Sequence, residues 1–309
     1  MSTSDVQPDH RTGGRGLLRQ AWRFIKPVWD VGYESYEGLN KHDGLMVASA
    51  IAYSLVFAIF PFLLFMVGLA AALGGADLAD FLTREAFSAM PSYMAQSIEP
   101  QLKAVLATHQ QGSFLTFGLL GTLLSITSGI ESIRDGLNRA YGCQDRRNIF
   151  RKRLSSLLFV FGGIFFLIAI SVLAIALPVW LAMVEPYFPH ISIYSGLITV
   201  GRHLLLLVIL GVMIASMHLF LTARERHLKQ IAPGVVMTLA LWWLAGQAFG
   251  IYLSRISNFS ATYAGLAGTI ALLFFLYILA VISLWGAEIN RAIALHFGKK
   301  QDLCTDGRS

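Results

Sequence analysis

Tyr263-Ala-Gly-Leu-Ala-Gly-Thr-Ile-Ala-Leu-Leu-Phe-Phe-Leu-Tyr-Ile-Leu-Ala-Val-Ile-Ser-Leu-Trp-Gly-Ala-Glu-Ile-Asn-Arg291 holds no charged side chain between Ala264 and Ala287. Coiled as a helix at roughly 1.5 Å per residue, such a run crosses a hydrocarbon core of about 30 Å. Small residues open it: Ala264 and Gly268 are four apart, as are Ala267 and Ala271. That spacing lets a second helix backbone approach closely in lipid. Polar residues close it. Glu288, Asn290 and Arg291 must face protein or an interface, because lipid offers them no partner. The stretch is a membrane span with a protein-facing side.

The rest of the chain suits such a partner. Of its 309 residues, 55% are hydrophobic and 14% charged, with a mean hydropathy of +0.61; soluble domains carry about 25% charged residues. So little charge cannot cover a water-facing surface, which excludes an ordinary soluble protein. The fold class expected is an all-α polytopic membrane protein. Hydropathy places six transmembrane helices, at about Leu45–Leu73, Ser113–Ile133, Ser155–Val184, Leu197–Leu221, Ile231–Leu253 and Gly265–Ile289. Residues 1–44 then form a cytoplasmic N-terminal segment, 45–296 the six-span bundle and 297–309 a cytoplasmic tail.

Orientation follows from Lys and Arg. The segment to Gly44 holds six, Arg134–Leu154 seven, Thr222–Gln230 three and the tail from Arg291 four, which is 20 of 24. Arg84, Lys103, Arg202 and Arg255 lie on the other side. The positive-inside bias therefore puts both termini in the cytoplasm, as an even number of spans requires. Met1 to Gly16 lacks an apolar core and does not read as a cleaved signal peptide. Cys143 and Cys304 fall on the cytoplasmic side, where free thiols are expected.

Within the N-terminal segment, Leu18, Ala21, Trp22, Ile25 and Trp29 make a helical stripe flanked by Arg15, Arg19, Arg23 and Lys26. It suits first a juxtamembrane helix that helps set orientation, and second a helix lying on an anionic leaflet. Pro61 should kink the first span by removing the backbone bond to Phe57. Close-packing faces are expected at Ala50, Ser54 and Ala58, at Gly121, Ser125 and Gly129, and at Gly246 and Gly250 around Gln247. The one long outer connection, Gly74 to Gly112, carries spaced apolar residues (Phe81, Leu82, Phe87, Met90, Met94 and Ile98) that suit amphipathic helices.

Three stretches together resemble a known family. Ala50-Ile-Ala-Tyr-Ser-Leu-Val-Phe-Ala-Ile-Phe-Pro61 is similar to its Ala-x-x-Tyr and Phe-Pro pattern. Arg134-Asp-Gly-Leu-Asn-Arg-Ala-Tyr-Gly142 is similar to its Asn-x-x-Tyr-Gly turn, and the final span to its closing Gly-Ala-Glu-x-Asn signature. The family is that of YihY and virulence factor BrkB, and the resemblance covers nearly all of residues 40–296. It implies a bacterial inner-membrane protein of six spans with a transport-related role. Some members carry an old label of ribonuclease BN. The resemblance supplies no catalytic residues.

The residues themselves argue against a nuclease. Metal-assisted phosphodiester cleavage needs clustered carboxylates or histidines, yet no two of the eight histidines lie within five residues of each other. The basic cluster Arg146-Arg147 and Arg151-Lys152-Arg153 lacks the aromatic interleaving of a single-strand platform, and suits topology and anionic lipid. No nucleic-acid partner, metal or other cofactor is expected, and no enzymatic activity. The candidate inner polar cluster is Glu131, Arg134, Arg139, Glu288, Asn290 and Arg291, read either as a gate or as ion pairs locking the second span against the last. The candidate outer cluster is Arg202, His203, Arg255 and Asn258. His218 and Gln247 are expected to make hydrogen bonds between helices.

No expected span carries a carboxylate or a basic residue near its midpoint, which disfavours a proton relay or ion-coupled carrier. No Gly-x-x-x-x-Gly-Lys motif is present, so ATP does not drive this chain directly. The functional expectation is a protein that moves or organises envelope lipids or other amphipathic solutes, with membrane lipids as partners. The rival is a scaffold for envelope proteins or for further copies of itself.

Overall fold

Helical periodicity and long apolar runs dictate the architecture, and every regular element described is a helix. The computed structural model describes residues 13–59, 61–62, 111–173, 177–184, 187, 195–256 and 264–297. The elements are α1 (Gly13–Lys41), α2 (Gly44–Ile59), α3 (Gln111–Ala140), α4 (Ile149–Ser171), α5 (Leu177–Val184), α6 (Ser195–Ser216), α7 (Leu228–Ile256) and α8 (Ala264–His296). A π-helical turn, Met217–Leu221, ends α6.

Four helices are long and apolar enough to cross a membrane: Thr116–Ala140, Gly196–Leu221, Leu228–Tyr252 and Ile270–His296. A fifth span results if Lys26–Lys41 and Gly44–Ile59, bent by 66°, count as one. The described residues thus support four or five of the six spans expected. Leu45–Leu73 is described only to Phe62, and Ser155–Val184 is divided into α4 and α5 around residues 174–176. The amphipathic helices expected in Gly74–Gly112 fall almost wholly outside the described residues.

The final span is the hub. The most extensive helix pair is α7 with α8, followed by α1 with α8. Between α7 and α8 two glycines meet: a Cβ on Gly234 would overlap the Gly286 carbonyl oxygen, and one on Gly286 would overlap Thr238. Backbone contact this close is the means by which helices associate in lipid. The pair expected from the sequence, Gly246 and Gly250, instead faces open space, and Gln247 beside them is exposed.

On α3 the expected small face holds. Gly121 meets Pro61, with 3.0 Å between its notional Cβ and the proline Cβ, and Gly129 meets Ser54. On α2 the expected face holds in part: Ser54 meets Gly129 and Ala58 is buried, whereas Ala50 is exposed and Ala48 and Ala52 are buried instead. Pro61 itself is helical, and the bend expected beside it involves Phe60, outside the described residues.

The N-terminal helix docks on the bundle. Ser35 and Leu39 of α1 are buried, and the Trp285 indole N–H donates to Ser35 Oγ at 3.0 Å. Trp29, from the sequence stripe, is 71% exposed. Between α1 and α2 the chain turns at Asp43, in the left-handed region at φ 56°, where Asp is better tolerated than bulkier residues. That turn presents His42 to α8.

Candidate functional site

The Asn-x-x-Tyr-Gly turn shows its physical logic at the end of α3. The Cys143 N–H donates to the Asn138 carbonyl at 2.7 Å and the Gly142 N–H to the Arg139 carbonyl at 2.9 Å, with Gly142 at φ 67°. This is a Schellman cap, which glycine adopts without a steric cost. The Asn138 side chain donates to the Arg134 carbonyl and accepts the Ala223 N–H, so it joins the end of α3 to the segment after α6.

The cap places Tyr141 at the centre of a buried network. The Gly234 N–H donates to Asn290 Oδ1 at 2.7 Å, which fixes the amide so that Asn290 Nδ2 donates to the Tyr141 hydroxyl at 3.1 Å. That leaves the phenolic O–H to donate to His218 Nδ1, 2.9 Å away. Imidazole accepting at Nδ1 is neutral there. The Arg226 guanidinium stacks 3.5 Å above the Tyr141 ring. Burial pushes the phenol up to about 12, so it keeps its proton and its donor role.

Glu288 lies one helical turn before Arg291 and is 2% exposed. Its Oε1 meets His42 Nδ1 at 2.6 Å, while Oε2 has no hydrogen bond and faces Arg291 Nη1 at 3.7 Å. A Cβ on Gly38 would overlap that Oε2, so the carboxylate lies directly against the α1 backbone. The buried carboxylate thus has an imidazole at hydrogen-bond distance and a guanidinium just beyond it.

The inner cluster expected from the sequence therefore divides. Glu288, Asn290 and Arg291 belong to the buried centre. Glu131 pairs not with Arg134 or Arg139 but with Arg153, at 3.0 Å on the exposed surface. Arg139 pairs with Asp43 at 3.2 Å, also exposed. Arg134, 1% exposed, donates to Ser156 Oγ and the Lys152 carbonyl, tying α3 to α4.

On the outer side, Arg202 is half-buried on α6 and His203 bonds within its own helix to Thr199. Arg255 is described only as helical backbone, and Asn258 lies outside the described residues. No contact among these four is described. His218 has the interhelical partner expected of it, whereas no partner for Gln247 is found among the described residues.

Sequence reasoning missed His42, Tyr141, Arg226 and Gly234. Tyr141 stands inside the Asn-x-x-Tyr-Gly stretch; the others have no local signal. The structure also corrects the expectation of free thiols, because Cys143 is disulfide-bonded; Cys304 lies outside the described residues.

Several long apolar helices, with buried polar and charged groups gathered where α3 and α8 end, define a multi-pass integral membrane protein. The chain belongs to the virulence factor BrkB family, whose model matches residues 35–307. It is similar to a ribonuclease-like protein, YfkH, of Bacillus subtilis (strain 168), with 25% identity over 276 residues covering 86% of this chain and 95% of YfkH. No solved structure matches it. Among the described residues no group of three or more His, Cys, Asp or Glu side chains stands close enough to hold a metal ion.

Proposed function

We propose that the protein moves or organises envelope lipids or other amphipathic solutes in the bacterial inner membrane, with both termini cytoplasmic and without direct drive from ATP. One observation carries this reading. Polar groups are buried at one end of an apolar bundle, around Glu288 and Tyr141, whereas the described midpoints of the expected spans hold no carboxylate or basic side chain. An amphipathic molecule needs such an asymmetry: its chains stay in lipid, and only its headgroup needs polar contact. A proton or ion carrier would need charge at mid-depth.

The test is purified protein in vesicles carrying a fluorescent phospholipid, with Glu288→Gln as the comparison. Wild type should scramble the lipid faster than empty vesicles. The variant, which preserves size and hydrogen bonding, should fold normally and scramble roughly tenfold more slowly, the effect of about 1.4 kcal/mol on a barrier. Wild-type rates equal to empty vesicles across several headgroups would remove the reading.

The scaffold reading has the Gly234–Gly286 contact in its favour, because backbone packing this close suits two helices that never separate. Equal rates with and without protein, together with recovery of a stable partner complex, would select it. A nuclease, which the name of YfkH would suggest, stands third. It has no metal-holding cluster among the described residues to support it, and we propose that the chain is not an enzyme.

A further inference from the structure

Where the loop after α3 meets the start of α4, a surface pocket of about 510 Å³ is lined by Asp145, Arg146, Arg147, Asn148 and Arg151 among others. The four basic residues in and beside it do two different jobs. Arg147 donates from Nε to Asp145 Oδ1 at 3.1 Å and from Nη2 to the Leu221 and Thr222 carbonyls, closing the end of the π-helical turn. Lys152 Nζ donates to the Asp145 carbonyl at 3.0 Å and lies 3.9 Å from its carboxylate. The one acid in the pocket is thus already matched by these two cations. Arg146 and Arg151 are exposed and have no described ion pair.

Two further features meet at this place. The first-turn N–H groups of α4, which starts at Ile149, lack partners within the helix, as at any helix N-terminus, and favour an anion. From the pocket rim an apolar stripe runs along α4: Phe150, Leu154, Leu158, Phe161 and Phe165 are all at least 60% exposed and three or four residues apart. A pocket with two uncommitted arginines at the head of a lipid-facing stripe has the shape of a phospholipid. Free phosphate would use the arginines but not the stripe.

We propose that this pocket holds the phosphate of an anionic glycerophospholipid, with Arg146 and Arg151 at the headgroup and the acyl chains along the exposed face of α4. This deepens the lipid reading above and rests on it for the ligand class. It is read by equilibrium binding, so it fails or stands separately from lipid movement.

The experiment titrates the full chain, purified in neutral detergent, with phosphatidylglycerol, phosphatidylcholine or inorganic phosphate, and counts bound molecules by native mass spectrometry. Phosphatidylglycerol should bind R146Q/R151Q about 30-fold more weakly than wild type, the loss expected when two basic side chains leave an anionic ligand. R153Q should bind as wild type does, because Arg153 is engaged with Glu131. An unchanged melting temperature for R146Q/R151Q will show that the loss is not unfolding. Competition by inorganic phosphate would support the phosphate group as the feature recognised. Equal affinity of R146Q/R151Q and wild type, or of the two lipids for wild type, would overturn the proposal. Binding of inorganic phosphate without phosphatidylglycerol would overturn its lipid part.

Discussion

Glu288→Leu should destabilise the protein by about 3 kcal/mol, near the lower end of the range for breaking a buried ion pair. The carboxylate is nearly inaccessible and holds His42 at 2.6 Å, so its removal leaves that imidazole facing apolar surface. The loss should not reach the top of the range, because Arg291 is 25% exposed and can turn to water. Glu288→Gln retains an acceptor for His42 and should cost only about 1 kcal/mol, the net worth of a typical hydrogen bond. Thermal unfolding of the purified variants reads both numbers. If the two variants melt together, the charge is not what seats α1 against α8.

Gly234→Val should be at least as damaging, at about 3 kcal/mol or more, because two losses combine. The new side chain would overlap the Gly286 carbonyl and the Asn290 amide, an overpacking worth about 1–3 kcal/mol. Separating α7 from α8 would also break the bond from the Gly234 N–H to Asn290 Oδ1, and a buried group left unpaired costs about 1–3 kcal/mol. Since that bond orients the amide toward Tyr141, the damage should spread to His218. Gly246→Ala, on the same helix but facing open space, should be neutral or stabilising by up to about 1 kcal/mol. Comparable melting temperatures for these two glycine variants would show that α7 and α8 do not meet at Gly234.

These two predictions mark what could and could not be read from the chain. Apolar runs between polar ends fixed the helices, since a charge-free stretch such as 264–287 has few alternatives in lipid. Glu288 and Asn290 were legible as special because they follow such a run directly. Their partners were not. His42 is 246 residues from Glu288, and Tyr141 is 149 from Asn290. Arg134 and Arg139 stand close to Glu131 in sequence, but helical geometry turns Arg134 toward α4 and Arg139 toward the α1–α2 turn.

Glycines taught the same lesson. Gly246 and Gly250 carry the small-residue spacing yet face outward, whereas Gly234, with no such spacing, meets the Gly286 of the closing signature across two helices. Spacing along one helix says which face could pack closely. It does not say whether a neighbour is there.

The exposed apolar side chains of these helices are expected to face lipid, and the connection after α3 to lie at the membrane surface. Spin labels at Phe165, Val208 and Trp243, and one at Arg146, in protein reconstituted into vesicles test it through collision with oxygen and with a water-soluble nickel chelate. Oxygen should dominate at the first three positions and the chelate at Arg146. Free access of the chelate to Phe165, Val208 and Trp243 would contradict the claim.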